Sequence, residues 1–170
     1  MGLNATYHAV TDDDLTALAV MPPEEVYESI QDSYDSRWAG NPSGDIGTLW
    51  HGLHFVLTGY PDSTLIDDLP LSCAVLGASE EFDAGEGYVT VVGSQEVAGL
   101  LAALRAVDRT QLARSVDPAQ LATEDIYPAH AWRPADRDAL AAQLVDALDS
   151  LVVFYTQTQA RGLGALVTIW

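Results

Sequence analysis

The 170 residues carry 25 acids against 7 bases, all arginine, for a formal net charge of −18 at pH 7, and 48% of them are apolar. Such a charge repels polyanions, so DNA, RNA and anionic membrane surfaces are disfavoured as direct partners while a basic protein stays open. The length suits one domain with a real core, Cys73 as sole cysteine excludes an internal disulfide, and neither a secretory leader nor an uninterrupted apolar run of ~18 residues is present, so a cytoplasmic protein without a membrane role is expected.

Leu3 to Val10 reads as a strand that ends at Thr11, an N-cap for a helix whose first turn is Asp12, Asp13 and Asp14. These acids suit the positive end of the helix dipole; consecutive helical residues diverge by ~100° and do not converge on one metal ion. Pro22-Pro23 opens a second helix. On its wheel Glu24, Glu25, Glu28, Asp32 and Asp35 share about 100°, and Val26, Tyr27, Ile30 and Tyr34 share another ~100°. The acids thus form one face, which suits either plain solvation or the docking of a basic partner. The charge is uneven along the chain as well: residues 1–100 hold 17 acids and Arg37 alone, residues 101–170 hold 8 acids and six arginines.

Gly40 to Gly44 reads as a loop and Asp45 as the cap of a central helix near 46–58. At ~100° per residue Leu49, Trp50, Leu53, Val56 and Leu57 fall on the side of Ile46, while Phe55 falls opposite. Apolar groups on both faces predict a helix buried between two layers. Its polar strip is His51, His54 and Thr58, beside Trp50; Gly59 supplies the stop.

Leu69 to Gly77 is apolar and too short to type, Glu80 to Gly87 reads as an acidic turn, and Tyr88 to Val92 as a strand. Gly93-Ser94 precedes a helix over Gln95 to Val107 with Val97, Leu100, Leu101 and Leu104 inward, and Asp117-Pro118 opens a short one. Ile126 to Trp132 is an aromatic loop around Pro128. The longest helix is expected from Pro134 to Arg161, with Gly162 as its C-cap, and Ala165 to Trp170 closes the chain as a strand. The expected fold is α+β: one domain over 1–170, with a small mixed sheet of about three strands packed with several helices around the central one.

Asp45-Ile46, Trp50, Leu53-His54-Phe55, Leu57-Thr58-Gly59, Pro70-Leu71-Ser72, Ala74-Val75-Leu76-Gly77 and Ile126-Tyr127-Pro128 together resemble the pattern of the YfbM-like family, almost end to end. The resemblance implies a bacterial α+β protein and carries no assigned biochemical activity. Two positions depart from the pattern: Thr48 stands where a lysine is expected before the tryptophan, and His51 occupies a position expected to vary.

Chemistry is sparsely encoded. His51 and His54 at i,i+3 could reach a metal with Asp45 or His130, but no His-Glu motif or Cys partner accompanies them, and neither a metal nor a cofactor is expected. No Gly-x-Ser-x-Gly elbow is present, and Cys73 lies in an apolar segment that suits a buried, inert thiol. Two functions follow. The first is a non-enzymatic binding module that turns its acidic face toward a basic protein partner. The second is a small-molecule-binding protein or enzyme, with the aromatic loop folded over the polar strip to make a pocket from Trp50, His51, His54, Thr58, Tyr127, His130 and Trp132.

Overall fold

The computed structural model describes residues 2–63, 66, 68–83 and 87–170, side chains excepted over 79–83. Five strands form one sheet in the order β2-β1-β5-β4-β3, where β1 is Ala5–Val10, β2 Ser43–Gly47, β3 Ser79–Asp83, β4 Tyr88–Val92 and β5 Gly164–Ile169. The three strands expected from β-branched and apolar pattern are the inner three. The two edge strands extend that count, and each pairing is antiparallel, not mixed. β2 escapes pattern reading because Ser43-Gly-Asp-Ile-Gly47 has one large apolar residue; it is a strand because β1 offers it an edge to pair with.

β5 is buried along its whole length, since helices cover both faces of the sheet there. Tyr7 of β1, Val167 of β5 and Thr90 of β4 lie in one register row. Ala5, Tyr7, Ala9, Ala165 and Val167 join the larger core with α3 (Trp50–Thr58), α4 (Pro70–Leu76), α5 (Val97–Ala106) and α8 (Arg137–Ala160). Val10, Leu166 and Val89 face the other way, onto Leu15 and Leu18 of α1 (Asp12–Ala19) and Val26 and Ile30 of α2 (Pro23–Tyr34). α6 (Arg109–Ser115) and α7 (Pro118–Thr123) finish the helical layer.

Boundaries shift where caps decide. The central helix begins at Trp50, not at 46, and Asp45 does not cap it: its Oδ1 accepts the Gly47 amide at 2.6 Å, which tightens the end of β2. Thr11 caps α1 through a capping box with Asp14. Asp12 accepts the Ser94 amide at 2.9 Å and its hydroxyl at 2.6 Å, so the first helix is tied to the turn before α5. The helical stretch Pro134–Ala160 is long and apolar enough on average to cross a membrane, although charges interrupt it, and its Leu140, Leu144, Leu148, Leu151 and Phe154 are spent on the core.

The C-terminal carbonyls of α4 are satisfied from three directions. Tyr155 Oη donates to Ala74 O, Tyr7 Oη to Val75 O and Thr90 Oγ1 to Leu76 O. A helix end buried at the centre of the domain needs such partners. Burial pushes both phenols well above their ordinary range, so they remain donors at every physiological pH.

Candidate functional site

The polar strip of α3 and the aromatic loop do meet, and they close on each other. Trp50 Nε1 donates to Leu3 O at 3.1 Å, and its ring stacks on His51 and, at 6.0 Å, on Tyr127, whose hydroxyl accepts the Leu3 amide at 2.7 Å. Trp132, 3% exposed, donates to Ile126 O at 2.6 Å and lies over Gly52, the one position of α3 without a side chain to obstruct it. Thr58 donates to His54 O at 2.8 Å. His130 stands apart, exposed on the short 3-10 turn Ala129–Ala131.

The two histidines have separate partners. His51 Nδ1 accepts the Tyr127 amide, so its proton sits on Nε2 and is donated to Pro61 O at 2.9 Å. His54 is 0% exposed and its Nε2 lies 2.9 Å from Ser72 Oγ, which also accepts the Ile66 amide. The imidazole tautomer sets which of Nε2 and Oγ donates in that bond, and Nδ1 is buried without a hydrogen-bond partner among the described residues. Burial, with a smaller push from His51, lowers the His54 pKa to about 4; burial also lowers that of His51. A neutral histidine 2.9 Å from a serine has the distance of a nucleophile and its base, but both groups are sealed and no substrate atom can approach. None of the seven pocket residues lines the groove between α6 and α8 or the groove beside Val56, Leu57 and Leu71.

α2 offers the opposite environment. Glu24, Glu25, Glu28, Asp32 and Asp35 are all exposed, and Asp32 and Asp35 sit at the negative end of the helix dipole. Among the described residues the ion pairs are Arg37–Asp14, Arg109–Asp149 and Arg137–Asp138, and none involves these five acids. The helix stays on the sheet through buried Val26 and Ile30, with Tyr34 stacked on His8 at 4.2 Å. Tyr27, 49% exposed, meets the half-buried Trp170 ring at 5.0 Å and 64°.

The arginines are engaged elsewhere. Arg109 donates to Leu104 O, Val107 O and Asp149; Arg137 donates to Ala113 O, Arg114 O and Asp138. With Arg114 they line a groove of about 470 Å³ between α6 and α8, but Asp146 also lines it and helix C-terminal carbonyls occupy the guanidinium donors. Its positive charge is cancelled locally, and the acidic face has no ion-pair partner among the described residues.

Sequence reasoning missed Ser72, since a serine in an untyped apolar segment carries no signal of the histidine 18 residues before it. It also missed Trp170 as the neighbour of Tyr27, a pairing set by β5 meeting α2 across the sheet.

The family model described as a domain of unknown function, DUF1877, matches residues 1–168. Protein YfbM of Escherichia coli (strain K12) is 25% identical over 169 residues, covering 99% of each chain. The crystal structure of that protein of unknown function superposes with a TM-score of 0.78 at 24% identity, covering 98% of this chain and 99% of that one, a likeness of fold.

Proposed function

The chain belongs to the family of domains of unknown function DUF1877, and we propose that it is a non-enzymatic binding module whose α2 face docks a basic protein partner. The observation that carries this reading is the exposed, unpaired row Glu24, Glu25, Glu28, Asp32 and Asp35. Glu24 with Glu28 and Glu28 with Asp32 are like-charge i,i+4 pairs, each costing about 0.2–0.5 kcal/mol that the isolated chain does not recover. A cationic surface laid on that row converts the repulsion into attraction and speeds encounter. The pocket reading has less support, because its polar atoms face one another in place of a cavity.

The test is capture on the immobilised chain at ~0.05 M and ~0.5 M salt, a range over which the Debye length shrinks severalfold. The expected result is a defined basic protein retained at low salt, released at high salt, and absent from a Glu24→Gln, Glu28→Gln, Asp32→Asn bait. Equal retention by that bait would overturn the proposal.

A further inference from the structure

We infer that the corner made by Tyr27 and Trp170 receives an arginine side chain of the basic partner, its guanidinium lying on an aromatic face while Glu24 accepts its N–H groups; this rests on the binding reading above. The two rings stand 5.0 Å apart at 64°, edge to face, with Tyr27 exposed and Trp170 half-buried. Tyr27 is 49% exposed on a helix where Val26 and Ile30 are buried and Tyr34 is half-buried.

Trp170 is held for the purpose by its backbone. Its amide donates to Asn4 O at 3.2 Å and its carbonyl accepts the Asn4 amide at 2.9 Å, continuing the β1–β5 ladder, while its ring packs on the α2 side of the sheet. The wall is therefore preorganised, and little ordering entropy remains to be lost on binding.

Helix geometry supplies the polar part. Glu24 at i−3 and Gln31 at i+4 are the neighbours of Tyr27 along its face of α2, and both side chains carry acceptor oxygen. Glu28 and Asp35 follow at the border of the same stripe. A planar cation that stacks and also forks onto a carboxylate is a guanidinium; an ammonium can do the first but not the bidentate second.

The full chain is titrated by calorimetry with a nine-residue arginine peptide and with its lysine counterpart at ~0.05 M salt. The arginine peptide is expected to bind more tightly and to change the tryptophan emission, which Trp170 reports because Trp38, Trp50 and Trp132 are no more than 3% exposed. Tyr27→Leu, which keeps apolar bulk but loses the ring, should weaken the arginine peptide about two- to fivefold. Tyr27→Phe should bind as the wild type does. If Tyr27→Leu binds unchanged while the Glu24→Gln, Glu28→Gln, Asp32→Asn chain does not bind, the acidic-face reading stands and the aromatic corner is refuted. Phe and Leu variants equally weak would refute it too. Failure of the wild type to bind either peptide removes both.

Discussion

The backbone amide of Tyr127 donates to His51 Nδ1 at 2.9 Å across 76 positions of sequence, and this bond welds the aromatic loop to the central helix. The same imidazole reaches Pro61 O through Nε2, so one ring spans two loops. Pro61 is exposed and water can replace the ring there; the Tyr127 amide cannot be rescued as readily. Leaving a buried donor unsatisfied costs about 1–3 kcal/mol. His51→Leu should lower the urea-unfolding free energy by about 2–3 kcal/mol, whereas His51→Asn, whose Oδ1 can take the place of Nδ1, should lose about 1 kcal/mol. Equal losses would mean that the amide bond contributes nothing.

Gly52 sits beneath Trp132, and a Cβ there would lie 2.7 Å from Cζ2 and against Cη2 of the indole. Helix propensity favours Gly52→Ala by about 1 kcal/mol. Overpacking against a ring pinned by its bond to Ile126 O costs about 1–3 kcal/mol or more, and should win. The variant is expected to unfold at lower urea, and Gly52→Ala with Trp132→Leu should lose less than the two single changes added together. Strict additivity in that double-mutant cycle would rule out the contact.

Acid should loosen this region through His54. Its folded pKa of about 4 lies below the unfolded value near 6.5, so between those two values the unfolded chain binds a proton that the folded one excludes. Stability from this group is complete above about pH 6.5 and falls as pH drops toward 4, by about 3 kcal/mol at most. Denaturation from pH 7.5 to 4.5 should show a steeper loss for the wild type than for His54→Gln. The difference between the two curves isolates the histidine from the many carboxylates, whose protonation acts on both proteins alike.

What the sequence revealed was local. Tyr88 to Val92 and Ala165 to Trp170 announce strands by residue type, and Leu140, Leu144, Leu148 and Leu151 announce a helix by spacing. Phe55 opposite Leu53 marked α3 as apolar on both sides, and both side chains are buried. The rest depended on partners distant in sequence. β2 is held by β1, the last carbonyls of α4 by Tyr7, Thr90 and Tyr155, and His54 by Ser72. α6 had a legible start, since Asp108 caps it through the Gln111 amide, but only Leu112 of its seven residues is buried and no apolar stripe marked it. The same logic governs the candidate sites: exposure of the α2 acids could be read from a wheel, while whether the aromatic loop leaves a pocket over the polar strip or seals it could not.

The proposed binding role of the acidic row sets stability against function, and one substitution separates them. Glu28 is the shared member of two repulsive i,i+4 pairs, with Glu24 before it and Asp32 after it. Glu28→Gln removes both and should raise the unfolding free energy by about 0.4–1 kcal/mol at low salt. Glu28→Lys replaces them with two attractive pairs, Glu24–Lys in the favourable order, and should gain roughly twice as much. Because these charges are exposed, most of either gain should vanish by ~0.5 M salt. If the row exists to bind a cationic partner, the more stable variants must bind the nine-residue arginine peptide more weakly, in the order wild type, Gln, Lys. A row kept only for solubility predicts the stability order without the binding order, and calorimetry at two salt concentrations distinguishes the cases.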